Sequence, residues 1–314
     1  MSRGGRLASY RSTVDRDTLT AEVREFRRSL ERRTTREYIP HAQLLYDWLI
    51  GPIEPFLEAG SESVTLVFVP DGPLRTIPFA ALRDRKSKQF LIEKFPIAVT
   101  PSLTLTDPRP IEIGRVRLLA AGISEAVGGY PELRSVETEI DAIREIYPGQ
   151  TLLNGGFGVE KFQNELKNVP FGIVHIASHG EFGGDISDNY LLAYDGHVSM
   201  EQLSRFVGAT RFRAEQPLEL LTLSACESAA GDDRAALGLA GVALRAGARS
   251  ALATLWSVND RATAELVIEF YRQLHDPEHS RAEALQTAQV KMLSTRHYRH
   301  PSYWAPFLLI NSWL

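Results

Sequence analysis

Three patterns of apolar and polar positions follow one another along this chain, and each predicts a different kind of element. Near the amino terminus Leu19, Val23, Phe26 and Leu30 recur at helical spacing. With Thr18 or Thr20 as cap, they predict a helix through Arg36. Leu44, Leu45, Trp48 and Leu49 predict a second helix over 41–57, its end disturbed by Pro52 and Pro55. From Val64 the pattern turns to short β-type runs. Residues 64–69 are followed by a Pro-Asp-Gly turn, an apolar return over 77–82, and strand candidates at 91–92 and 97–100. A Pro-rich break at 106–114 marks the expected subdomain boundary.

Beyond Arg115 strand and helix alternate. Strands are expected over 116–121, 151–153 and 171–177, with helices over 136–146 and 159–166. A hairpin over 190–199 and a short helix then lead into a strand over 218–223, a small-residue turn and a helix over 235–246. A strand over 250–256, helices over 262–274 and 281–293, and a strand over 306–310 complete the order. The alternation predicts an α/β fold, a three-layer sandwich whose mostly parallel central sheet is covered by helices on both faces. The expected division is a helical region over 1–62, a β subdomain over 63–110 and the core over 111–314.

Composition narrows the function classes. Across 314 residues, 35 Lys and Arg against 39 Asp and Glu leave a net charge of −4, which gives no global basic field for nucleic acid. The arginines at 24, 27, 28, 32 and 33 are interleaved with Glu22, Glu25, Glu31 and Glu37, as on a solvated or partner-facing helix surface. A single cysteine excludes an internal disulfide framework and a Cys-rich zinc site, and suits a reducing cytosol. The first residues lack the apolar region of a secretory signal, and no run reaches the roughly 18–20 residues that span a bilayer. A cytoplasmic protein without membrane contact, metal or organic cofactor is the expectation.

Two strands end in chemically capable residues. His179 closes one, Cys226 lies just beyond another, and about one βαβ unit plus an insertion separates them. Neighbouring parallel strands would carry both to the carboxyl edge of the sheet, where α/β proteins bind ligands. There an imidazole activates a thiol as nucleophile. Gly180 would let its backbone N–H approach an oxyanion. The blander readings are a cysteine packed among small residues and a structural histidine. His175, inside an apolar strand, receives no role. G-x-S-x-G and phosphate-loop motifs are absent, since GGFG at 155–158 lacks the Lys and the Ser or Thr.

The segments SHGEF (178–182), LSACESAAG (223–231), AGARSALATLWSVND (246–260) and HPSYWAPFLLI (300–310) resemble the CHAT domain family of caspase-like cysteine peptidases, relatives of caspases, gingipains and separase. LYDWLIGPI (45–53) and VPDGPLRTIPFAAL (69–82) resemble the family's amino-terminal portion. The resemblance implies a caspase-hemoglobinase fold and peptide-bond hydrolysis, with Cys226 as nucleophile, His179 as general base or acid, and the N–H groups of Gly180 and Cys226 as oxyanion hole. LWSVND is similar to separase's W-x-V-x-D turn. Trp256, Ser257 and Val258 would then line the substrate groove and pair with the peptide as an added strand. Asp260 would meet a basic P1 side chain, or would instead cap the helix that follows, and Ser224 would touch the pocket. A protein substrate is expected, and a regulatory partner with helical repeats, because this family commonly follows such repeats. The alternative is a catalytically silent scaffold of the same fold that binds peptides or partner proteins.

Overall fold

The computed structural model describes the chain except residues 1, 4, 5, 8, 59–63, 104, 105, 107, 108, 110–115, 183–188, 212–216, 225, 226 and 229–246. A two-residue ladder, β1 (Ser2–Arg3) with β2 (Arg6–Leu7), comes first. Helix α1 (Arg16–Glu31) starts at Asp15, whose carboxylate accepts the Thr18 N–H at 2.9 Å. An aspartate completes the first turn better than either expected threonine, because it also opposes the helix dipole. Val23, Phe26 and Leu30 are buried, as their spacing predicts. The second expected helix is split: α2 (Tyr38–Leu49), a 3-10 turn over Gly51–Ile53, and α3 (Glu54–Glu58). Pro52 and Pro55 account for the break, since neither has an N–H for a continuous helix.

Eight strands form the central sheet: β3 (Leu66–Phe68), β4 (Ile97–Val99), β5 (Leu118–Gly122), β6 (Gly149–Leu153), β7 (Ile173–Ala177), β11 (Leu220–Leu223), β13 (Ser250–Thr254) and β14 (Phe307–Asn311). Their spatial order is β3-β4-β14-β13-β11-β7-β5-β6. All neighbours are parallel except β13 and β14. The residues of β5, β7, β11 and β13 are buried throughout, as strands covered on both faces must be. The chain steps from β5 outward through α5 (Val136–Ile146) to β6, then back through α6 (Val159–Asn168) to β7. With right-handed crossovers these opposite steps put the two helices on opposite faces. Consistent with this, α6 packs against α7 (Met200–Arg211), and α5 against α8 (Asp260–Leu274), which in turn packs on α9 (Arg281–Ser294).

Two corrections concern the β-type segment. Residues 91–92 are not a strand but part of a short helix, α4 (Leu91–Lys94), and residues 79–81 of the apolar return form a 3-10 turn. Apolar runs this short carry no period, so burial alone could not choose between helix and strand. The expected helix over 235–246 and most of the break at 106–114 lie outside the described residues. A second, four-stranded sheet was not anticipated: β10 (Gly196–Ser199), β9 (Tyr190–Ala193), β8 (Gly180–Phe182) and β12 (Glu227–Ser228), in that order. Only its β9–β10 hairpin was legible.

Candidate active site

The carboxyl ends of β5, β7, β11 and β13 lie side by side. Strands β7 and β11 are in register up to Ile176 opposite Leu223. Beyond the two ends pairing resumes between β8 and β12, with Glu181 opposite Glu227 and Phe182 opposite Ser228. Strand pairing thus brackets positions 179 and 226 from both sides, although Cys226 itself lies outside the described residues.

His179 is 6% exposed and held on two sides. Its Nε2 lies 2.8 Å from the Pro131 carbonyl, which can only accept, so Nε2 carries a hydrogen and Nδ1 is the nitrogen left to exchange a proton. The Tyr130 ring stacks on the imidazole, with centroids 4.9 Å apart and planes at 27°. Tyr130 exchanges a 2.7 Å hydroxyl bond with Tyr190, which donates to Glu181 at 2.9 Å. The bond to Tyr130, burial and the nearby Glu181 push the Tyr190 hydroxyl well above the usual phenol range, so it stays a donor. Below His179, Ser178 donates to the Leu192 carbonyl at 2.7 Å and Leu192 N–H to the His179 carbonyl at 2.8 Å. In the antiparallel alternation Gly180, opposite Leu191, turns its own N–H away from β9, toward the β12 side.

Neither Tyr130 nor Pro131 was singled out from the sequence. They belong to the loop after β5, and the one available signal was Gly128-Gly129. Both glycines have positive φ (61° and 86°), and the Tyr130 N–H bonds the Val127 carbonyl at 3.0 Å. This is the type I′ pattern, and it turns Tyr130 and Pro131 back over the sheet edge. The same loop reaches the other side of the site: the Ser135 N–H donates to Asp260 Oδ2 at 2.8 Å.

The remaining expected residues divide by exposure. Ser224 is buried, its N–H on the Ile176 carbonyl at 3.0 Å, and its Oγ has no partner among the described residues. Trp256 is buried too, with Nε1 3.3 Å from the Ser302 carbonyl. Ser257 is exposed, and Val258 and Asp260 are half-buried. The capping alternative for Asp260 is overturned. Asn259 is the cap, its Oδ1 accepting the Ala262 N–H at 3.2 Å, and Asp260 is the first helical residue of α8. Asparagine at that position can fold its short amide back over the turn, which leaves the next carboxylate for Ser135. His175, left without a role, is fully buried, with Nε2 3.1 Å from Glu139 Oε1 and Nδ1 3.5 Å from the Tyr271 hydroxyl. Among the described residues no group of three or more His, Cys, Asp or Glu could hold a metal ion, and no helix is long and apolar enough to cross a membrane.

Comparison with known proteins bears on the fold and the family. The fold is similar to separase in the Saccharomyces cerevisiae separase–securin complex at 3.0 Å, with a TM-score of 0.54 at 15% identity, over 86% of this chain and 17% of that one. It is also similar to the complex of Porphyromonas gingivalis RgpB pro- and mature domains, with a TM-score of 0.52 at 9% identity, over 94% and 76% of the two chains. The likeness to RgpB and to separase bears out the expected caspase-like fold. In sequence, Tetratricopeptide repeat protein 28 from Homo sapiens and from Mus musculus are each 26% identical over 90% of this chain. The chain spans 14% of the length of either. The CHAT domain model matches residues 40–312, most of the protein, and the chain therefore belongs to the CHAT domain family.

Proposed function

We propose that the protein is a cysteine endopeptidase with Cys226 as nucleophile and His179 as its base, cutting a protein partner after Arg or Lys. The observation that carries this reading is the strand pairing that flanks both positions in the chain, Ile176 opposite Leu223 before them and Glu181 opposite Glu227 after them, which supports a Cys–His pair at this sheet edge. With Nε2–H bonded to Pro131, Nδ1 is the nitrogen that takes the thiol proton. The thiolate adds to the scissile carbonyl carbon, and the oxyanion meets the N–H groups of Gly180 and Cys226. The imidazolium then returns its proton to the leaving amine, and water, deprotonated by the same nitrogen, releases the acyl group.

Asp260 supplies the charge for a basic P1 side chain. Accepting one N–H from Ser135 fixes the carboxylate without using up its lone pairs. Ser257 and Val258 offer main chain to the peptide, while Trp256 and Ser224 support that turn and the nucleophile loop from within. The match to a short part of tetratricopeptide repeat proteins supports control by a helical-repeat module, in the same chain or another. A cytoplasmic setting belongs to the same reading.

The test uses fluorogenic peptides with Arg, Lys, Asp, Asn or Met at P1, on wild type, Cys226→Ala and His179→Ala. Turnover of the Arg and Lys peptides that both substitutions abolish supports the proposal. Cleavage only after Asp or Met removes the basic-P1 assignment. Absence of both turnover and labelling of Cys226 by an electrophilic Arg peptide favours the silent scaffold.

A further inference from the structure

We infer that Arg27, on the amino-terminal helix, is a positioning residue for the peptide-binding turn at 255–258. The inference rests on the proposed role of that turn and adds a residue outside the family match, which begins at residue 40. Strands β13 and β14 pair with Thr254 opposite Phe307 and Ala253 opposite Leu308. Residues 249 and 312 form a hydrogen-bonded pair at one end, where Ser312 N–H donates to the Arg249 carbonyl at 3.0 Å. The alternation makes Leu255 and Pro306 a pair of the same kind. Leu255 N–H donates to the Pro306 carbonyl at 3.0 Å, but proline has no N–H with which to answer. The Arg27 guanidinium gives that second bond: its Nη2 donates to the Leu255 carbonyl at 2.8 Å, in a buried position.

The rest of Arg27 is arranged for this task. It is 8% exposed, its Nε lies 3.5 Å from Glu31, and its guanidinium is 5.9 Å from the centre of the Trp256 ring. A second arginine works two residues further on. Arg33 Nη2 reaches the Ser257 carbonyl at 3.4 Å, and the guanidinium carbon lies 5.2 Å from the centre of the Tyr303 ring. Helix α1 and the residues after it therefore hold the turn where the strand ladder stops. Extended chain past the end of a sheet loses its order quickly without such partners, and an added strand pairs well only with a preformed edge.

The experiment reads main-chain order and catalysis separately. Arg27→Met keeps the apolar stem and removes the donor, Arg27→Lys keeps the charge, and Pro306→Ala returns an N–H opposite the Leu255 carbonyl. Hydrogen exchange at the Ser257 and Val258 amides should speed up about tenfold in Arg27→Met, as expected for losing a charge-assisted bond. In Arg27→Met with Pro306→Ala it should fall back toward wild type. With the Arg fluorogenic peptide, KM should rise about tenfold in Arg27→Met at nearly constant kcat, less in Arg27→Lys, and recover in the double variant. Unchanged exchange, faster exchange without a change in KM, absence of rescue, or a gain in turnover would each overturn the inference, the last by showing that α1 obstructs the turn. A wild type that neither turns over nor labels at Cys226 would instead remove the peptidase reading, and exchange at 257 and 258 would still decide whether Arg27 braces the turn.

Discussion

The Pro131 carbonyl settles which nitrogen of His179 holds its proton, and the Tyr130 ring settles the plane of the imidazole. Of the two tyrosine groups at work here, ring and hydroxyl, the ring carries more of the effect. Tyr130→Ala should lower kcat/KM about tenfold, whereas Tyr130→Phe, which loses only the bond to Tyr190, should stay within about threefold. Steady-state kinetics on an Arg peptide would separate them, and equal losses would refute the stacking role. Asp260 permits a similar separation of structure from specificity. Asp260→Asn keeps an acceptor for the Ser135 N–H but removes the charge. It should cost about tenfold or more in kcat/KM for Arg peptides and little thermal stability. If Asp260→Asn melts early and retains its P1 preference, the carboxylate is structural. His179 was legible as a strand-end residue because it follows an apolar run and is flanked by small or polar neighbours. Tyr130 and Pro131 were not, because nothing local distinguishes an aromatic residue in a glycine-rich loop from any other.

Among the elements, α4 shows how a short apolar segment is decided by its surroundings. The Phe90 N–H donates to the Glu93 carboxylate at 2.6 Å, and the Leu91 N–H to the Leu82 carbonyl at 2.8 Å, so the segment closes as a helical turn. Its last residue, Lys94, donates to Asp84 at 2.6 Å and to the Tyr46 hydroxyl at 3.1 Å, joining this turn to α2. Burial opposes the charge on Asp84, but bonds from Lys94, the Ser87 hydroxyl and the Lys86 N–H outweigh it and hold its carboxyl well below the usual range. A folded-state value below the unfolded one contributes stability that is complete above the unfolded value and fades as the pH falls toward the folded one. Asp84→Asn should therefore lose roughly 2 kcal/mol at neutral pH, and its deficit against wild type should narrow below about pH 4. Urea titrations at several pH values would show it, and a deficit independent of pH would count against the pairing. At the N-terminus of α9, Ser280 and Glu283 form a reciprocal capping box, with bonds of 3.2 and 2.9 Å. Ser280→Ala should cost about 1 kcal/mol in the same assay.

On the scale of the whole molecule, one buried carboxylate ties sheet to helix. Glu219 Oε2 accepts from both Arg249 and Arg281 at 2.7 Å, at the end of the sheet opposite the candidate site. Arg281 is fully buried, so Glu219→Ala would leave a buried guanidinium without this carboxylate, and about 3 kcal/mol of stability should go with it. Peptidase activity per folded molecule should be unchanged; a loss of activity without a loss of stability would show instead that this cluster communicates with the site. The alternation of helix and strand, the buried runs of β5, β7, β11 and β13, and the strand-end position of His179 followed from the order of residues alone. They depend on which way successive side chains point and on whether that side is apolar, and both are local properties. Strand order, the antiparallel turn of β14, the small sheet through β8 and β12, the grip of Tyr130 and Pro131 on His179, and the reach of Arg27 to Leu255 were decided only in three dimensions. Each joins residues far apart in the chain, and their pairing depends on how many elements compete for the same edge or face. No window of sequence contains that competition, because it is resolved only when the whole sheet assembles.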